Sequence, residues 1–186
     1  MVLTEKSDEE IVDLVKTGNQ EAFAVLIDRY IEKIKRYGRR FVYEKSNLDD
    51  LVQDVFIKVY SNIQSFSSDR KFSPWIYRIA HNEFVNAIRK KAYENLIPVD
   101  FDTFLPQVLA KESPADDFDF NLLRESIERS LADLDVKYRE VIVLYFFEEL
   151  DYKTIADILA IPVATVGVRL KRAKEKLKVL LAKENI

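Results

Sequence analysis

The chain has 186 residues, 48% apolar and 33% charged, with a net charge of −3, no cysteine and a single histidine, His81. That composition buries a core, and it excludes a disulfide scaffold, a thiolate zinc site, a cysteine nucleophile and a histidine metal cluster, so neither metal nor cofactor is expected. No uncharged apolar run approaches the roughly 18 residues of a membrane-spanning helix, and the polar, acidic stretch Met1–Gln20 is unlike a secretory leader, so a cytoplasmic protein without membrane insertion is expected.

Gly18, Gly38 and Gly167 are the only glycines, too few for folds built on strands and tight turns. The apolar spacing is helical nearly throughout, and the fold expected is all-α. Ser7, with Glu10 three residues on, forms a capping-box pattern ahead of a helix carrying Ile11, Leu14 and Val15 on one face. A second helix is expected from about Asn19 to Tyr43, with Phe23, Leu26, Ile27, Tyr30, Ile31 and Ile34 at three-four spacing. Ser46 or Asn47 is placed to cap a third, whose stripe runs Leu48, Leu51, Val52, Val55, Phe56, Val59, Tyr60 and Ile63. The loop Ser65 to Lys71 ends it, and Ser73-Pro74 opens a fourth helix with proline in the first turn. Ile76, Ile79, Ala80, Phe84 and Ile88 form its inward face, and Arg78, Asn82, Asn86 and Arg89 the opposite one. His81 is placed at the edge of that polar face as a surface residue, with no nucleophile partner that would make it catalytic.

Pro98, Pro106 and Pro114 punctuate the next stretch, in which Phe101, Phe104, Leu105, Val108 and Leu109 argue against a purely solvated tether. Beyond Phe120 a helix is expected around Tyr138 to Glu148, then a short one from Tyr152 to Leu159 capped by Asp151. After the turn Ala160-Ile161-Pro162 comes a last helix from Val163 to about Ala182, with Val166, Leu170, Ala173, Leu177 and Leu180 on its buried face. Two small helical domains, 8–92 and 121–184, joined by a linker over 93–120, are the expected organisation.

Charge follows the same division. Lys71 to Lys91 holds five basic residues against one acid, and Tyr152 to Lys183 eight against two, while Ala92 to Phe120 holds seven acids against one base. Two basic blocks split by an acidic stretch fit two nucleic-acid surfaces and a linker; they also fit two solvated helix faces.

A short helix, a three-residue turn and a longer basic helix make a helix-turn-helix. Its second helix enters the major groove with its N-terminal turns nearest the base edges. With Val166 and Leu170 inward, Thr165, Val168, Arg169 and Arg172 are expected outward, arginine being able to grip guanine O6 and N7 together. Lys171, Lys174 and Lys176 suit phosphates. On the third helix a second stripe of Asp49, Asp50, Gln53, Asp54 and Ile57 runs beside the apolar one. An apolar anchor among carboxylates suits a partner with basic residues; a solvated acidic face with one stray isoleucine has the same spacing.

The stretch "LDVKYREVIVLYFFEELDYKTIADILAIPVATVGVRLKRAKEKLKVLL" resembles the C-terminal domain of sigma-70 family factors, especially the extracytoplasmic-function group, which binds the upstream (−35) promoter element. Ala160 stands where that turn usually has glycine, and Gly167 and Val168 where lysine and serine are usual. "LDDLVQDVFIKVYSNIQSF" resembles the sigma helix that docks on the polymerase clamp, which assigns Asp49, Asp50, Gln53, Asp54 and Ile57 to polymerase binding. "FSPWIYRIAHNEFVNAIRKK" resembles the segment that melts and reads the downstream (−10) element, with Asn86 where aspartate is frequent. The resemblance implies DNA contacts there from Lys71, Phe72, Tyr77, Arg78, His81, Asn82, Asn86 and Arg89. Aromatic rings would stack on unpaired bases, although Trp75 also suits the core, and the loop Ser65 to Lys71 would receive a flipped-out base. In the upstream element it implies contacts from Thr165, Val168, Arg169, Lys171 and Arg172. It further implies a linker threading the polymerase near its RNA exit path, core RNA polymerase and promoter DNA as partners, an anti-sigma protein holding the factor inactive, and no catalysis. A stand-alone helix-turn-helix regulator shares only the C-terminal pattern, and a helical metal-dependent hydrolase would need a ligand cluster.

Overall fold

The structure, a computed structural model, describes residues 3–41, 45–94 and 126–183, and every regular element among them is helical. The linker expected over 93–120 therefore lies outside the described residues from 95 onward. Two compact units make up the chain: one takes in Met1–Asn86 with Asp157–Leu159, the other Ala87–Ala156 and Ala160–Ile186.

In the first unit, α1 (Asp8–Lys16) starts at a complete capping box: Glu10 N–H donates to Ser7 Oγ at 3.2 Å and Ser7 N–H to Glu10 Oε2 at 2.8 Å. Gly18, at φ +94°, turns the chain. Asn19 then accepts from Ala22 N–H at 3.0 Å to start α2 (Gln20–Gly38). That helix ends at Gly38, short of the Tyr43 expected. Tyr30 donates to Asp8 Oδ2 and Arg29 pairs with Asp8 Oδ1, both at 2.6 Å, tying α2 to the start of α1. Burial, with the Asp8 carboxylate beside it, pushes the Tyr30 phenol well above its ordinary range.

Helix α3 (Lys45–Asn62) begins before Ser46 and Asn47, so these lie inside its first turn rather than capping it. It buries Leu48, Val52, Val55, Phe56 and Val59, then tightens into a 3-10 turn, Ile63–Ser65. Helix α4 (Phe72–Glu94) buries Phe72, Ile76, Tyr77, Ala80, Phe84 and Val85. Gly38 sits where α2, α3 and α4 converge: a Cβ there would lie 2.6 Å from Leu48 Cδ1 and 2.8 Å from Phe84 Cζ. The core is aromatic, with Tyr30 edge-on to Phe72 at 5.4 Å and Tyr37 edge-on to Tyr77 at 5.4 Å. Each fully buried ring of this kind contributes about 1.5–3 kcal/mol.

In the second unit, a helical stretch over 126–132 (α5) precedes α6 (Val136–Ile142). Buried Arg139 reaches back to donate to the carbonyls of Ala132 and Leu134, satisfying acceptors that the end of α5 leaves open. The single helix expected over Tyr138 to Glu148 is not continuous. From Val143 to Phe147 the backbone is π-helical, and Glu149 follows at φ 53°. The wider turn leaves Tyr145 and Phe146 exposed while Val143 and Leu144 stay in the core. Helix α7 (Tyr152–Leu159) is capped by Asp151, which accepts from Thr154 N–H at 2.7 Å; this bond holds the Asp151 carboxyl below its ordinary range. Ala160 takes the left-handed conformation, φ 52° and ψ 46°, and Ile161 N–H closes on Ala156 C=O at 3.1 Å. Helix α8 (Val163–Lys183) buries Val166, Leu170 and Ala173.

Candidate nucleic-acid and partner interfaces

On α3 the second stripe stands clear of the core. Asp49, Asp50, Gln53 and Asp54 are exposed, and Ile57 is 62% exposed. Asp49 is engaged within the chain, 2.9 Å from Lys35 Nζ, which leaves Asp50 and Asp54, one turn apart, as the acids beside Ile57. Tyr60, expected in the core stripe, is instead 47% exposed, its ring edge-on to Phe23 at 5.0 Å. Its three-residue spacing from Ile57 places it on the same side, and that was the signal available for adding it to this face.

On α4, Arg78, Asn82, Asn86 and Arg89 are all exposed, at spacings of four, four and three, and Lys71 is exposed just ahead of the helix. Three other residues expected to contact DNA are buried. Phe72 and Tyr77 are core residues, packed against Tyr30 and Tyr37 respectively. His81 is corrected from surface to interior: it is 8% exposed, its Nδ1 hydrogen-bonded to Tyr37 Oη at 3.0 Å and its ring edge-on to Phe41. A buried imidazole needs such a partner, and the Tyr37 hydroxyl supplies it. Trp75 is half-buried against Phe66 and Phe72.

The loop ahead of α4 is fastened to α1. Lys16 Nζ donates to Phe66 C=O, Ser68 Oγ to Asp13, Gln64 Nε2 to Lys16 C=O at 3.1 Å, and Phe72 N–H to Glu9 Oε1 at 3.0 Å. Buried Phe66 anchors it from below, while Ser67, Asp69, Arg70 and Lys71 stay exposed. Ser67 donates to Asp69 and holds that carboxyl below its ordinary range. A loop held this way presents its polar tip without first losing conformational freedom.

In the helix-turn-helix, Val168, Lys171 and Arg172 are exposed and Thr165 is half-buried. Arg169, expected outward, turns back: its Nη1 lies 2.6 Å from Oε1 of buried Glu140 on α6. Burial pushes the Glu140 carboxyl up to about 7, against the pull of Arg169. Lys176 stands 3.9 Å from Asp135 and over the Tyr138 ring, and it is exposed along the helix with Lys171, Lys174 and Lys178. Among the described residues there is no group of three or more histidine, cysteine or carboxylate side chains placed to hold a metal, and no helix long and apolar enough to cross a membrane.

Two family models match this chain: Sigma-70 region 2 over residues 26–93, and Sigma-70, region 4 over residues 124–177. The ECF RNA polymerase sigma factor SigW of Bacillus subtilis is 38% identical over 170 residues, covering 88% of this chain and 91% of that protein. The ECF RNA polymerase sigma-E factor of Escherichia coli is 32% identical over 175 residues, covering 91% of each. The structure of CnrH in complex with the cytosolic domain of CnrY superposes with a TM-score of 0.73 at 26% identity, covering 96% of this chain and 99% of that one.

Proposed function

The chain belongs to the sigma-70 family, in its extracytoplasmic-function group, and from that premise we propose how its surfaces divide the work of directing RNA polymerase to promoters. The observation that carries the reading is that both region models match one chain, in order, over 26–93 and 124–177. A stand-alone helix-turn-helix regulator accounts for the second match and leaves the first without a purpose.

Residues 8–92 bind core polymerase and open the downstream element; 121–184 hold the upstream element; 93–120 join them. The α3 face of Asp49, Asp50, Gln53, Asp54 and Ile57, extended by Tyr60, meets the polymerase, its exposed acids opposing basic residues around an apolar anchor. Arg78, Asn82, Asn86 and Arg89 track the opened strand, with Lys71 at the rim of the loop: guanidinium groups hold phosphates and amides reach base edges. Lys171 and Arg172 serve the upstream duplex with Thr165 and Val168, while Arg169 holds the helix in place. The chain brings no bond chemistry of its own, acts in the cytoplasm with the polymerase, and is held inactive by an anti-sigma protein. The CnrH neighbour, solved with the cytosolic domain of CnrY, supports a bound protein partner.

Transcription in vitro with core polymerase, on genomic fragments, tests this. Adding the protein should start transcripts at discrete sites that core alone does not use. Unchanged start sites would overturn the reading.

A further inference from the structure

The first two turns of α8 present a face with no charged side chain. Val163 is 48% and Val168 51% exposed, Ala164 is exposed between them, and Gly167 adds no side chain. Positions 163, 164, 167 and 168 lie together at three-four spacing. The ring of Tyr152, on α7, borders this face: its Cε2 would lie 3.5 Å from a Cβ at position 167. Arg169 is held by Glu140, and Thr165 is half-buried. The first exposed cations on this side of the helix are Lys171 and Arg172, a turn farther on.

We propose that α8 reads the upstream element through thymine 5-methyl groups, with Val163 and Val168 as the reading side chains and Tyr152 bordering them. The inference rests on the helix-turn-helix reading above. In that geometry the N-terminal turns lie nearest the base edges. The base-edge group that gains from apolar contact in the major groove is the thymine methyl. Guanine O6 or a cytosine amino group set against valine would lose water without gaining a partner. Selectivity therefore comes partly from exclusion, and Lys171, Arg172, Lys174 and Lys178 supply sequence-independent grip on phosphates. The rim of cations beside the apolar face argues for duplex DNA over an apolar protein partner.

Deoxyuridine differs from thymidine only by that methyl, which makes the test direct. Upstream elements are selected from a randomised duplex by the full chain bound to core polymerase, and each thymine of the enriched element is then replaced by deoxyuridine. At one or more positions the replacement should weaken binding about fourfold, the value of one buried methyl group. Val168→Ser or Val163→Ser should abolish that sensitivity; both positions are exposed, so the fold is kept. If no deoxyuridine replacement weakens binding, or if the sensitivity persists in both variants, methyl reading is overturned. If the polymerase-bound chain enriches no upstream element at all, the upstream role itself fails instead.

Discussion

Arg169 and Glu140 meet at 2.6 Å across α8 and α6, with the carboxylate side chain only 9% exposed. The pair ties the second helix of the helix-turn-helix to α6 within the second unit. Removing the arginine takes an ion-pair partner from a buried carboxyl, so Arg169→Ala should destabilise the second unit by up to about 3 kcal/mol. Glu140→Gln, which keeps a hydrogen-bond acceptor, should cost less. Urea unfolding of the two variants checks the order; equal or negligible losses would return Arg169 to the set of base-reading candidates.

The same carboxyl makes stability depend on pH. Burial raises Glu140 from 4.5 to about 7 in the folded protein. The folded state therefore holds a proton that the unfolded chain has released. The contribution of this group is fully present below about 4.5 and is lost as pH rises through about 7, a swing of up to roughly 3 kcal/mol. Between pH 5 and 8 the urea midpoint should fall more steeply in the parent than in Glu140→Gln. Parallel slopes would show that Arg169 keeps Glu140 ionised throughout.

Gly38 and Gly167 should respond oppositely to alanine. At Gly38 the new Cβ would lie 2.6 Å from Leu48 and 2.8 Å from Phe84, both buried; overpacking of this kind costs about 1–3 kcal/mol. At Gly167 it would meet only Tyr152 at 3.5 Å, an ordinary contact, and the helix gains about 0.5–1 kcal/mol in propensity. Thermal unfolding should show the first variant below the parent and the second above it.

The elements were legible because their signals are local. Ser7, Asn19 and Asp151 cap where hydroxyl, amide and carboxylate side chains precede apolar periods, and Ala160-Ile161-Pro162 marks the turn before α8. What escaped depended on distant partners. Nothing in the sequence around Glu140 marks its pairing with Arg169, 29 residues away. His81 lies four residues after buried Tyr77 and three before buried Phe84, a core position by spacing; its polarity suggested the surface because Tyr37 could not be foreseen as its partner. The π-helical turn at Val143–Phe147 leaves no mark in a pattern of apolar residues that suits either helix.

The α3 face should carry polymerase affinity and little fold stability. Asp50→Lys with Asp54→Lys reverses two exposed charges beside Ile57 and should weaken core polymerase binding by about 1–3 kcal/mol with the thermal transition unchanged. Ile57→Ser and Tyr60→Ser test the apolar half. Titration of labelled protein with core polymerase is the measurement, and unchanged affinity in all three variants would remove this face from the interface.

Strand opening separates a sigma factor from a protein that merely binds duplex DNA, and Asn82 is where to look for it. The residue is exposed, lies between Arg78 and Asn86 on one side of α4, and points away from the aromatic core that holds the helix. The loop before α4, stapled to α1 by Lys16, Asp13 and Glu9, gives that side a fixed polar border. Extruding a base costs a few kcal/mol, which contacts to the open strand must return; stacking supplies about 1–3 kcal/mol per base and phosphate pairing adds to it. With Phe72 and Tyr77 committed to the core and Trp75 half-buried against Phe66 and Phe72, the polar face is expected to supply more of the energy. Asn82→Ala should therefore leave polymerase binding and closed complexes nearly unchanged while lowering open complexes, read by permanganate reactivity of unpaired thymines. A template already unpaired across the downstream element should restore part of the loss, because the opening cost has been met in advance. If Asn82→Ala opens promoters as the parent does, or if the unpaired template brings no recovery, this face of α4 does not drive melting, even in a chain that still directs polymerase to promoters.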